Sequence, residues 1–126
     1  MRKAFIFGVV AFVLAGCDSG PDGPGDLTGS ILSPSPAVGA VVFEVVGGGI
    51  EGFSGEGGTK VFWAVQENPV VFRVVVIGDG SGGLRFSVSV QEKGGRLPRA
   101  SVVSAVDTDN QPLFPITEEY QVRFSR

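Results

Sequence analysis

From residue 27 onward, apolar and polar side chains alternate along the chain with a period of two. Val41, Phe43 and Val45 alternate with Val42, Glu44 and Val46. Leu84, Phe86, Val88 and Val90 alternate with Arg85, Ser87, Ser89 and Gln91, and Tyr120, Val122 and Phe124 with Gln121, Arg123 and Ser125. Such alternation marks half-buried β-strands, because successive side chains of a strand point to opposite faces. Residues 60–65 and 101–106 are further β-prone stretches, and residues 27–32 predict a first, edge strand closed by Ser33-Pro34-Ser35-Pro36. Residues 70–77 are the longest run. Phe72, Val74 and Val76 share one face, Arg73 and Val75 the other, and valine on both faces predicts a central strand of a sandwich covered on both sides, with a strand at an interface as the alternative.

Turn signals separate these runs: Gly47-Gly48-Gly49, Gly55-Glu56-Gly57-Gly58, Glu67-Asn68-Pro69, residues 78–83, Gly94-Gly95 and residues 107–112. No stretch after residue 17 has a helical period. About seven short strands with regular turns predict an all-β chain, a single antiparallel β-sandwich over residues 27–126, and a small barrel is the alternative. The expected core is Phe43, Phe72, Val74, Val76, Leu84, Phe86, Val88, Tyr120, Val122 and Phe124.

The first residues are written differently. Arg2 and Lys3 precede an uncharged apolar run over residues 4–13, and Leu14-Ala15-Gly16-Cys17 follows. That is the layout of an export signal. The run is too short for a spanning helix, which needs about 20 apolar residues. Leu14-Ala15-Gly16-Cys17 resembles the lipobox of bacterial lipoproteins. The resemblance implies a signal peptide over residues 1–16, a diacylglyceryl group on the Cys17 thiol, cleavage before Cys17, and a domain held at the bacterial cell envelope outside the cytoplasm, on the inner or outer membrane. Asp18, after the lipidated position, is in some enteric bacteria an inner-membrane retention signal. Residues 17–26, rich in Pro, Gly and Asp, then read as a flexible tether with a mean reach of about 17 Å.

Composition narrows the chemistry. Without residues 1–16 the chain carries eight basic and thirteen acidic side chains, which argues against nucleic acid as a partner. Cys17 is the only cysteine, so no disulfide forms within the chain. Histidine is absent, which removes Ser-His-Asp and Cys-His catalysis and imidazole zinc sites. The expectation is a protein that is not an enzyme, with no cofactor, no catalytic residue and no metal ligand set.

Individual motifs agree. Gly47-Gly48-Gly49-Ile50-Glu51-Gly52 fits G-x-G-x-x-G, but glycine-rich sequence follows it where the dinucleotide fingerprint requires a helix, so it reads as a loop. Gly78-Asp79-Gly80-Ser81-Gly82-Gly83 holds a serine without a base and reads as a turn between strands. Asp107-Thr108-Asp109-Asn110 has the oxygen density calcium favours, but Pro112 stands where an EF-hand needs glycine, and an Asx-turn accounts for it as well. Phe62 and Trp63, adjacent in a strand, point to opposite faces, so one of them is exposed. Trp63, Asp107 and Asp109 are the candidate ligand-binding residues, Trp63 for a sugar ring and the aspartates for a cation. Packing in the core is the competing role for Trp63.

Gly39-Ala40-Val41-Val42-Phe43-Glu44-Val45, the run Phe72-Arg73-Val74-Val75-Val76-Ile77, and Gly83-Leu84-Arg85-Phe86-Ser87-Val88 resemble cohesin-type sandwich domains and small bacterial lipoproteins. That resemblance implies a sandwich built for binding. The expected function is a membrane-anchored, non-catalytic binding or interaction module, attached to the membrane through Cys17 and facing an envelope protein or a carbohydrate. A structural subunit of an envelope complex and a carbohydrate- or calcium-binding module are the alternatives.

Overall fold

A computed structural model of the chain describes residues 23–34, 38–78 and 83–126. Cys17 and most of the expected tether lie outside the described residues, as do residues 79–82 of the glycine-rich turn.

The described chain is all-β. Eight strands follow one another: β1 (Gly25–Leu32), β2 (Val38–Val46), β3 (Ile50–Gly55), β4 (Lys60–Val65), β5 (Val71–Ile77), β6 (Arg85–Val90), β7 (Arg99–Asp107) and β8 (Gln121–Ser125). They form two four-stranded antiparallel sheets, β3-β6-β1-β8 and β4-β5-β2-β7. The sandwich is therefore the predicted one, with eight strands in place of about seven. The added strand is β3, which the glycine content of residues 47–58 concealed. It carries one large inward side chain, Phe53, and pairs with β6 across a register shift between Ile50 and Gly52. Two further expectations are corrected. β1 lies between β6 and β8 and is not an edge. It also begins at Gly25, so Gly25 and Asp26 belong to the sandwich.

The core is the alternation made spatial. Phe43, Val41, Val45, Val74, Val76, Phe86 and Val88 are fully buried. Phe86 anchors the centre, with ring centroids 5.3 Å from Phe43 and 6.0 Å from Phe124. Of the expected core residues, only Val122 and Phe124 are half-buried, because β8 is an edge strand; Leu27, Val41, Val45, Phe53, Val90 and Ala105 join the core.

Candidate interaction face

The outward positions of the two sheets differ in kind. On the β3-β6-β1-β8 sheet, the registers put Asp26, Thr28, Ser30, Arg85, Ser87, Ser89, Gln121, Arg123 and Ser125 outside, a surface that is polar apart from Leu32 at the end of β1. Two of its hydroxyls are tied down: Ser89 donates to Asp26 and Ser87 to Glu56. This is the usual hydrophobic-in, polar-out division of an antiparallel sheet facing water on one side.

The β4-β5-β2-β7 sheet departs from it. Reading across the strands, one outward row is Lys60, Ile77, Ala40 and Val106. The next is Phe62, Val75, Val42 and Ser104, then Ala64, Arg73, Glu44 and Ser101. Val71, Val46 and Arg99 complete the lattice. Phe62 is 58% exposed, and Ile77, diagonal to it on β5, and Val46, at the other end of β2, are exposed on the same face, so its apolar positions are open to solvent. Patches of several hundred Å² on a small domain mark contact surfaces. β5 is an inner strand of its sheet, but the covering on both sides expected from its valines is not supplied by the described chain, which leaves its outer side open.

Lys60 on β4 and Arg99, Ser101 and Ser104 on β7 form polar margins to this face, and an ion pair stands at its centre. Arg73 Nη2 donates to Glu44 Oε2 at 2.7 Å, from directly opposed positions on the two inner strands. Both side chains are about two-fifths exposed, 43% and 37%, so their attraction is largely screened and contributes about 0–1 kcal/mol.

The β4 edge adds to the patch. Gln66 N–H donates to the Val71 carbonyl, so with strict alternation Lys60, Phe62 and Ala64 turn their backbone groups toward β5. Val61, Trp63 and Val65 turn theirs to the open side, where no strand of the described residues pairs with them. Edge strands are usually guarded by charge, proline or a bulge. β7 is guarded by a bulge between Val42 and Phe43 of its partner, whereas β4 pairs without irregularity and bears one charge, Lys60.

The sequence-predicted candidates fall elsewhere. Trp63 faces inward, its ring 5.6 Å from Phe53 and 6.0 Å from Phe72, and closes the side of the sandwich over Gly52. It remains 42% exposed along its outer rim. Its neighbour Phe62 is the aromatic that stands on the open face. Asp107 and Asp109 sit at the far end of the sandwich, beside an open cleft of about 300 Å³. Asp107 Oδ1 accepts from the Asp109 and Gln111 amides, both at 2.9 Å, the Asx-turn arrangement, with Asn110 at φ 64° completing the turn. Among the described residues no group of three or more Asp, Glu, His or Cys side chains is arranged to hold a metal ion. The residues that sequence reasoning missed as a site, Phe62, Val75, Val42, Arg73 and Glu44, left one trace: apolar residues at both parities of β2 and β5.

Comparison with protein families, curated proteins and solved structures finds no match to this chain.

Proposed function

We propose that this chain is a bacterial lipoprotein, anchored at the envelope through Cys17, whose β-sandwich is a non-catalytic docking module. The contact surface is the outer face of the β4-β5-β2-β7 sheet. The observation that carries the docking half is the contrast between the two outer faces, one polar, the other apolar with exposed Phe62, Ile77 and Val46. Covering apolar area is favourable by about 25 cal/mol per Å², so such a face is stabilised when a partner seals it. The anchor half rests on the sequence layout of residues 1–17.

Two measurements test the reading. Intact mass spectrometry of the membrane fraction should find a species beginning at Cys17 with two or three acyl chains, lost in Cys17→Ala; a soluble, unlipidated product overturns the anchor. With Cys17 acylated, a single introduced thiol can be followed by maleimide. Ala64→Cys, on the apolar face, should label slowly in intact membranes, and Ser125→Cys, on the polar face, rapidly. Equal rates overturn the docking face.

A further inference from the structure

We infer that the partner of the apolar face is a second copy of this chain, packed sheet against sheet about a two-fold axis that runs parallel to the strands between β5 and β2. The inference rests on the docking reading above and names its occupant. Isologous contacts bring the same patch of each copy together, so the patch must complement itself. The outward lattice does. A two-fold along the strands keeps each row at its own height and reverses its order. Arg73 then faces the partner copy's position 44 and Glu44 its position 73, so each charge of the pair meets its opposite across the interface. Size is matched in the same way. Ile77 lies over Ala40 and Phe62 over Ser104, large against small as interdigitating layers require, while Val75 lies over a side chain of its own size, Val42. Lys60 meets Val106 and Arg99 meets the β4–β5 turn at Gln66, so no like charges are opposed. The other in-plane two-fold, perpendicular to the strands at the ion-pair row, stacks Arg73 on Arg73 and Glu44 on Glu44.

The path of the chain selects the same axis. Gly25 pairs with Val90, Val90 with Ile50, and Ile50 follows Val46 across a short loop, so the chain enters the sandwich at the end of Val46 and Val71. An axis parallel to the strands puts this entry at the same end of both copies. Two copies whose preceding segments end in one membrane can then meet face to face. The perpendicular axis would place the entries at opposite ends.

The area sets the strength. Four strands about 4.8 Å apart and seven residues rising about 3.3 Å each give a face of roughly 450 Å² in plan, about 900 Å² for both copies before side-chain relief is counted. Stable interfaces begin near 1,000–1,200 Å² in total. The pairing is therefore a weak dimer in solution that forms where the copies share a surface.

The test uses the full chain in membranes. Val75→Cys places one thiol on each face, near the axis, and packed sheets lie about 10 Å apart, within reach of a short bis-maleimide. A product of twice the chain mass is expected, and none from Ser125→Cys. Adding Arg73→Glu to Val75→Cys, or Glu44→Arg to it, should each lower the yield at least tenfold by opposing like charges. Co-expressing the two charge variants should restore it, although each still carries a like-charged pair within its own chain. A yield indifferent to the charges, or a product with a different protein, overturns the inference; the latter leaves the docking reading standing. Free labelling of Val75→Cys with no crosslinked product overturns both.

Discussion

Gly29 offers the sharpest test of how the core is assembled. It is buried in β1, on the inward face, directly beneath Phe86, its register partner. A Cβ built there would enter the Phe86 ring, with Cε1 at 2.6 Å and Cζ nearer still. The backbone does not demand glycine, since φ lies outside the left-handed region. Two effects therefore compete in Gly29→Ala. Loss of unfolded-state freedom favours alanine by about 0.4–1 kcal/mol. Overpacking opposes it by about 1–3 kcal/mol or more. Phe86 decides the sign. It is fully buried, and Phe43, Phe124 and Phe53 stand 5.3, 6.0 and 6.4 Å away by ring centroid. The ring has no empty space into which to swing, so the clash is borne by the whole aromatic cluster.

The expected result is a net loss of about 0.5–2 kcal/mol once the gain is set against the overpacking cost. It would appear as a lower urea midpoint with unchanged slope, and a melting temperature lower by about 4–8 °C per kcal/mol. Phe86→Leu, which shortens the opposing side chain, should be destabilising alone. Combined with Gly29→Ala it should cost less than the sum, by about 1 kcal/mol or more, as contacting residues do in a double-mutant cycle. A neutral or stabilising Gly29→Ala, or strict additivity with Phe86→Leu, would refute the packing described here.

Gly55→Ala should be more damaging than Gly29→Ala, because its Cβ would meet the Thr59 backbone carbonyl, which cannot move without opening the β3–β4 turn; thermal melts comparing the two variants check the order. Asp107→Ala removes the acceptor for two turn amides and should cost about 1 kcal/mol in urea unfolding, with Asp107→Asn recovering much of it; a neutral Asp107→Ala would remove the turn-building role. Trp63→Ala should cost about 2 kcal/mol, reduced from a full core deletion by its exposed rim, while Phe62→Ala should stay within about 0.5 kcal/mol of wild type in dilute solution, since its ring is on the open face. The chain's single tryptophan makes the same point optically: Trp63 emission should be partly, not fully, quenched by acrylamide.

The parts of this fold visible in the sequence were those that obey the period of two. β2, β5, β6 and β8 announce themselves because one parity is buried and turn residues bound them. β3 did not, since Gly52 and Gly55 interrupt its pattern and only Phe53 enters the core; its strand character comes from pairing with β6, a partner far along the chain. The same non-locality hid the position of β1, because its inner place is set by β6 and β8 and not by its own residues. The candidate site was harder still. Trp63 stood out as the lone tryptophan, yet its parity points it inward, and Phe62 takes the open face. Alternation reveals which residues share a side, but whether a second layer covers that side depends on the packing of the whole sheet. Valine at both parities of β5 fits a covered strand and an interface strand equally.

The Arg73–Glu44 pair explains why an apolar face of this kind is not simply a liability. A uniformly apolar sheet surface is covered equally well in many registers and orientations, so it favours non-specific association. One ion pair at the centre changes the ranking of alternatives more than it changes the affinity. On the exposed face it contributes little. Once water is removed, any partner that fails to present the opposite charges leaves both groups paired only with each other, at the cost that accompanies partly satisfied buried charge. A partner that supplies a carboxylate over Arg73 and a cation over Glu44 completes the network instead. The surrounding valines and Phe62 therefore supply the drive toward covering the face, and the pair at its centre restricts which surface covers it, the division of labour expected where specificity depends on penalties against wrong partners. A second copy meets that restriction in one orientation, with both chains entering the sandwich from the same end.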